Sequence, residues 1–497
     1  MNMATHPQAE MLDMIIVGAG ISGIGMAVHM TRECPDKSFA ILDRRDNLGG
    51  TWNLFRYPGI RSDSDMHTLG FSFAPWKHEK SIADGPSILE YLDDISDKFG
   101  LREKMRFGQK VVSADWDSKT ASWTVVTEGA DGKKSTAQGR FLFLGSGYYD
   151  YDDPYDAGFK GRDKFKGQII HPQFWPKDLD YQGKKVVIIG SGATAVTILP
   201  AMANSGAAHV TQLQRTPTYM VSRPARDAIA NTLRKVLPEK AAYAITRFKN
   251  ITMQDMMFKR VRSQPEKAKD FILGETRKRL GDRFNETDFV PPYNPWEQRL
   301  CLVPDADFFD AINQGRADVV TDHIDSFDAT GIKLKSGKHL DADIIITATG
   351  LNLAVAGKIA VSVDGKPVDF SKRFYYRNCM FSDVPNLAGV FGYINASWTL
   401  RVDIIGEYLT RLFKQMDAIG AVAATPELPE GGLQEDDVFG DFSSGYLERG
   451  KAMMPKNAPS LPWRLNQDYR RDKQDMRQAP IDDGVLQFTR ARALVAG

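Results

Sequence analysis

Two glycine-rich turns in this chain have the residue types and spacing to hold phosphates. The first, Gly18-Ala19-Gly20-Ile21-Ser22-Gly23, follows the apolar run Met14-Ile15-Ile16-Val17. The second, Gly190-Ser191-Gly192-Ala193-Thr194-Ala195, follows Val186-Val187-Ile188-Ile189. Such a turn between strand and helix lets the backbone approach a pyrophosphate, with the helix N-terminus facing its charge. Gly18 and Gly190 permit the tight turn, and Gly20 and Gly192 leave room for the phosphates. Gly23 and Ala195 let the helix pack on its sheet. Twenty-five residues past the first glycine of each turn the side chains diverge, to Asp43 in one and Arg215 in the other. A carboxylate there accepts hydrogen bonds from ribose hydroxyls, whereas a guanidinium holds a 2′-phosphate. Thr216 adds a hydroxyl toward the same phosphate. The chain is therefore expected to bind two dinucleotides, one unphosphorylated and one NADP(H). That pairing is most simply a flavin oxidoreductase.

The turns need strands and helices to hold them. The early segment reads as strand, turn, helix (about Ile21 to Arg32) and strand, and a second such unit runs from about Lys184 to Arg215. Lys110 to Trp116 and Ser122 to Thr127 alternate like antiparallel strands, joined by a turn at Asp131-Gly132. The acidic, aromatic stretch Tyr148 to Asp156 reads as a solvated crossing between domains. Residues 225 to 285 lack strand patterning and read as a helical insertion, with Met253, Met256 and Met257 as packing residues. The run Ile344-Ile345-Ile346-Thr347-Ala348-Thr349-Gly350 returns to strand character.

Bulk properties narrow the function classes. The 497 residues suit two or three domains. The net charge is +1, so nothing electrostatic favours a nucleic-acid or anionic-membrane partner for the whole chain. Cys34, Cys301 and Cys379 are scattered, form neither a disulfide framework nor a zinc cluster, and fit a reducing, cytoplasmic setting. Met14 to Met30 is apolar, but its glycines and His29 favour strand, turn and helix over a transmembrane span.

A further motif carries a family resemblance. Phe165-Lys166-Gly167-Gln168-Ile169-Ile170-His171-Pro172-Gln173-Phe174-Trp175-Pro176 matches the F-x-G-x-x-x-H-x-x-x-W-P fingerprint and lies between the two turns. With Gly49-Gly50-Thr51-Trp52, Arg56-Tyr57-Pro58-Gly59 and Ala348-Thr349-Gly350, it makes nearly the whole chain resemble type I Baeyer–Villiger monooxygenases. Tyr293 to Pro304 and Pro462 to Gln467 resemble the ethionamide-activating monooxygenase subgroup.

The resemblance implies an α/β fold of two Rossmann-like domains, for FAD and NADP, with a helical insertion. The FAD part would take residues 1–150 and 341–497, the NADP part 151–224 and 290–340, and the insertion 225–289. It implies that NADPH reduces FAD, and that O2 gives a C4a-peroxyflavin that converts ketones to esters or lactones and also oxygenates sulfur. FAD contacts are expected from Gly18, Gly20, Ser22, Gly23, Asp43, Arg44, Gly50, Thr51, Trp52, Asp63 and Val112. NADPH contacts are expected from Gly190, Gly192, Ala193, Thr194, Arg215 and Thr216.

By family position Arg299 is the cation that stabilises developing negative charge, and Asp63 is the carboxylate that orients it. His171 and Trp175 would couple NADPH binding to domain rotation, and the segment around Trp463 would fold back over the site. The chain departs from the family pattern at Ser62 (often Cys), Leu351 (often aromatic) and Gln298 (commonly Lys). These departures bear on substrate scope and on cation tuning.

Three alternatives compete. An S- or N-oxygenating flavin monooxygenase would lack ketone chemistry. A disulfide reductase would need paired cysteines, which this chain lacks. A silent dinucleotide sensor would bind nucleotide without consuming it.

Overall fold

The computed structural model describes residues 10–298, 300–437, 440, 442 and 444–491. Two sheets carry the two glycine turns. In the first, Met11–Val17 pairs in parallel with Phe39–Leu42 and with Lys134–Leu144, in registers such as Ile16↔Ile41 and Ile16↔Phe143. Where they pair in parallel near the turn, at Met14–Val17, Phe39–Leu42 and Phe141–Leu144, these strands are buried runs, as expected of a parallel sheet covered on both faces. The helices Ile21–Glu33 and Trp398–Ile419 cover one side. They cross closely because glycine stands at the contact: a Cβ on Gly406 would lie 2.3 Å from the His29 ring.

The second sheet is five-stranded and parallel, in the order Ala317–Thr321, His209–Gln214, Lys185–Ile189, Ile344–Thr347, Gln168–Ile170. Ile344–Thr347 had been placed with the FAD part. It instead lies inside this sheet, between Lys185–Ile189 and the edge strand Gln168–Ile170, because its four buried aliphatic or β-branched side chains need neighbours on both edges. The antiparallel pair is also joined differently from expectation. Lys110–Asp117 turns into Ser122–Glu128 at residues 118–121, and the Asp131-Gly132 turn joins Ser122–Glu128 to Lys134–Leu144.

Between 228 and 280 the chain forms three helices, Ala228–Val236, Glu239–Ser263 and Pro265–Leu280. A buried ion pair bolts the middle one to the first domain. Arg247 donates to Asp403 Oδ2 at 3.0 Å and to the carbonyls of His67, Thr68 and Gly70. Removing one partner of such a buried pair costs about 3–5 kcal/mol, since the other charge is left alone.

Candidate active site

The first glycine turn lies at the floor of a cavity of about 320 Å³. Gly18 has φ +102°, and a Cβ there would sit 2.6 Å from the Gly145 carbonyl oxygen, so no other residue fits. Gly23 faces inward instead, its Cβ position 1.8 Å from the Gly18 carbonyl, so it serves helix packing and does not line the cavity. Asp43 is buried at the cavity wall. Its Oδ2 accepts from Ala19 N at 2.6 Å and its Oδ1 from Arg45 N at 2.8 Å. Burial raises its pKa, and the two backbone N–H groups oppose the rise. Each oxygen keeps a lone pair for a ribose hydroxyl.

Gly20, Ser22, Arg44, Gly50, Thr51, Trp52 and Asp63 also line this cavity. Ser22 accepts from Trp398 Nε1 at 2.8 Å, and Trp398 stacks on Tyr148. Arg44 is not a loose surface cation. It grips Asp152 with both terminal nitrogens, at 2.9 and 2.5 Å, and this holds Asp152 down to about 2. Arg45 is tied to Asn53. Val112 does not line the cavity. The register shift between Val111 and Ser113 turns it off the wall, and Val111 takes the place.

The second glycine turn opens on a cavity of about 700 Å³ lined by Gly190, Gly192, Ala193, Thr194, Arg215 and Thr216. Gly190 repeats the logic of Gly18, with φ +140° and its Cβ position 2.3 Å from the Ala348 carbonyl. Gly192 differs, since nothing lies within 4 Å of its Cβ position. The space a side chain would fill is open. Arg215 is exposed at this rim, and Lys335 lines the same cavity.

A third, mainly apolar chamber of about 630 Å³ adjoins both. Met257, Phe258, Val261, Phe271, Trp296 and Leu302 contribute to its wall. Trp296 holds φ +70°, a conformation that costs a bulky residue of order 1–3 kcal/mol. The neighbouring turn is braced by Glu297, which accepts from Asn294 N and Nδ2 at 3.0 Å. Asp63 lines all three cavities. Arg299 lies outside the described residues; its chain neighbours Gln298 and Leu300 both line the second cavity.

These features can be set beside known proteins. The flavin-binding monooxygenase-like family model matches residues 12–414. The chain belongs to this family. The monooxygenase is 49% identical over 487 residues to the FAD-containing monooxygenase EthA of Mycobacterium tuberculosis, covering 98% of this chain and 99% of that one. Its fold matches an oxidized steroid monooxygenase bound to NADP, with TM-score 0.76 and 22% identity, over 97% of this chain and 100% of that one. It also matches a cyclohexanone-bound cyclohexanone monooxygenase, with TM-score 0.76 and 21% identity, over 97% and 99% of the two chains. At those identities the solved structures establish the fold.

The linking motifs of the monooxygenase have physical roles that sequence alone does not reveal. Gly167 has no room for a side chain, its Cβ position being 2.2 Å from the Asp343 carbonyl. His171 ends the edge strand Gln168–Ile170, accepts from Gln173 N at Nδ1, and lines the second cavity. Burial lowers its pKa, so the ring is neutral at physiological pH and is a poor proton donor. Trp175 packs against the core of the second domain and lines none of the three cavities. The Tyr57–Gly59 loop reaches from the first domain onto the helix Ala193–Asn204. A Cβ on Gly59 would lie 2.7 Å from the Ala201 Cβ, and burial lifts the Tyr57 phenol to about 12.

Several sequence readings need correction. Tyr148 to Asp152 is no solvated crossing but a wall of the first cavity, with Asp150 buried. Met253, Met256 and Met257 are exposed rather than packed, and Met257 borders the chamber. Trp463 does not close the site. It is buried edge-on to Tyr376 in the first core, where apolar area is hidden most fully. Its neighbour Gln467 braces the chamber loop, accepting from Ile394 N at 3.0 Å. Lys335, Phe258, Val261 and Phe271 carried no local sequence signal.

Proposed function

We propose that this flavin monooxygenase is FAD- and NADPH-dependent and uses O2 to insert oxygen beside a ketone carbonyl, giving an ester or lactone, with sulfur oxygenation as a side activity. The observation that carries the proposal is the meeting of three cavities at Asp63: a cradle with a ribose-facing carboxylate, a second with an exposed guanidinium, and an apolar chamber. The Phe165–Pro176 fingerprint supports the ketone reading, and so does the fold shared with a monooxygenase named for cyclohexanone. When bound, the reduced flavin supplies activated oxygen and NADPH supplies the hydride.

The chain's own residues do the remaining work. Asp43 and the Gly18 turn fix the first dinucleotide, and the wall from Tyr148 to Asp152 bounds its cavity. Arg215, Thr216 and Lys335 select the 2′-phosphate of the second. Arg299 holds the developing negative charge with a permanently charged, planar donor, and Asp63 orients it. The chamber wall of Met257, Phe258, Val261 and Leu302 excludes water and accepts an apolar substrate.

The test is NADPH consumption by FAD-loaded protein with a ketone panel and an aryl methyl sulfide, products identified by mass spectrometry. Arg299→Ala should keep flavin reduction and lose ester formation by about two to three orders of magnitude. Sulfoxide alone, made equally well by Arg299→Ala, would move the enzyme to the heteroatom oxygenases. Nucleotide binding without NADPH consumption would leave only a sensor.

A further inference from the structure

We propose that the three helices between 228 and 280 rest on an anionic lipid surface, and that apolar substrate enters the chamber from that surface. Among the described residues, eight of the eleven large apolar side chains that stand exposed lie between Ile229 and Phe271. Phe248 is 71% exposed, Val236 70% and Phe271 69%. Exposed aromatic and aliphatic side chains concentrated on one group of helices mark an interaction face. The occupant follows from charge. Residues 228–280 carry thirteen Lys and Arg against five Asp and Glu, a net +8 in a chain whose total is +1, and +7 once Arg247, buried against Asp403, is set aside. The rest of the chain is therefore net −7, so the positive charge is concentrated where the apolar side chains are. Apolar groups interleaved with cations suit a bilayer interface, where the former enter the acyl boundary and the latter meet lipid phosphates.

Two cavities continue from this face. Phe248 and Lys240 border a groove of about 950 Å³ that Lys98, Lys473 and Arg477 also line, which gives a headgroup phosphate several cations. Phe271, Arg260 and Lys267 border the 630 Å³ chamber that Asp63 reaches from the flavin side. A substrate leaving the lipid would then cross from one apolar phase to another. Among the described residues no helix is long and apolar enough to cross a membrane, so the contact is one of lying on the surface.

The docking step stands apart from the oxygenation chemistry, whereas substrate delivery rests on the chamber being the substrate site. The test therefore reads binding, without turnover. The FAD-loaded full chain is sedimented with vesicles of phosphatidylcholine alone or mixed with phosphatidylglycerol. Binding is expected to the mixed vesicles and should weaken in high salt. Phe248→Glu with Met256→Glu should lower the bound fraction about tenfold, as should Lys278→Glu with Arg279→Glu. Lys133→Glu, on the opposite charge balance of the chain, should leave it unchanged. Retained flavin absorbance shows that each variant is folded. No binding to the mixed vesicles, or binding by both double variants equal to that of the unaltered protein, overturns the proposal. So does a concentration-dependent dimer, without vesicle binding, that Phe248→Glu with Met256→Glu abolishes, since that assigns the face to a second copy.

Discussion

In the first cradle the discriminating side chain, Asp43, is buried and already held by two backbone N–H groups; in the second its counterpart, Arg215, stands exposed at the rim. The first turn is also closed from above. Gly20 faces Gly50, with its Cβ position 3.4 Å from the Gly50 Cα, and Trp398 reaches across to Ser22. The second turn has open space where the Gly192 side chain would be. The same strand-turn-helix unit thus serves two purposes. Enclosure and preset polar partners suit a cofactor that stays, while openness and an exposed cation suit a coenzyme that must leave each cycle. The difference lies in what the rest of the chain lays over each turn.

Breaking the first cradle should have the largest effect. Gly18→Ala forces a Cβ against the Gly145 carbonyl at φ +102°, and should cost about 3 kcal/mol or more. The expected outcome is protein purified without flavin, read from its absorbance; a normally loaded variant would show that the cradle is looser than its geometry. Arg215→Ala comes next. It removes charge-assisted bonds of about 1.5–3 kcal/mol to the 2′-phosphate. KM for NADPH should rise roughly tenfold to a hundredfold with KM for NADH nearly constant. An unchanged NADPH preference would mean that Lys335 does the selecting.

Gly192→Ala sharpens the contrast with Gly18→Ala, because its methyl meets no protein atom within 4 Å. FAD content and thermal stability should be normal, and KM for NADPH should rise several-fold. Loss of flavin from this variant would sink the claim that the two turns are independent. The smallest effect is expected from Asp152→Asn, which breaks a half-exposed pair with Arg44 worth at most about 1 kcal/mol. Arg44 depresses the Asp152 pKa to about 2, so its stabilisation is complete above the ordinary carboxylate range and is lost as pH falls toward 2. Acid unfolding curves of the two proteins should therefore converge at low pH and separate above about 4.

The cofactor turns were legible in the sequence because close backbone approach demands particular residues at fixed spacing. Gly18 and Gly190 take places that their turn geometry requires, and Asp43 and Arg215 line the cavities beside them. The substrate side was not legible. Met257, Phe258, Trp296 and Ile394 come from three separate stretches, and nothing local marks any of them as chamber lining. Val112, expected at the first cavity from the resemblance, lies at a register shift beside Val111, which lines the cavity wall. The stretch from Tyr148 to Asp152 looked solvated because its composition is acidic, yet Asp152 meets Arg44 across more than a hundred residues of chain.

What the sequence determined by itself was the pair of strand-turn-helix units, with a carboxylate beside one and a guanidinium beside the other, and the membership of the flavin monooxygenase family. These depend on short-range geometry, where a missing Cβ or a charge at a fixed offset leaves no alternative. Only the tertiary structure decided that Ile344–Thr347 completes the second sheet, that Trp463 supports the core and does not cap the site, and that Asp63 stands where three cavities meet. Those outcomes depend on which buried surfaces find each other across long stretches of chain, and burial has no fixed spacing to read.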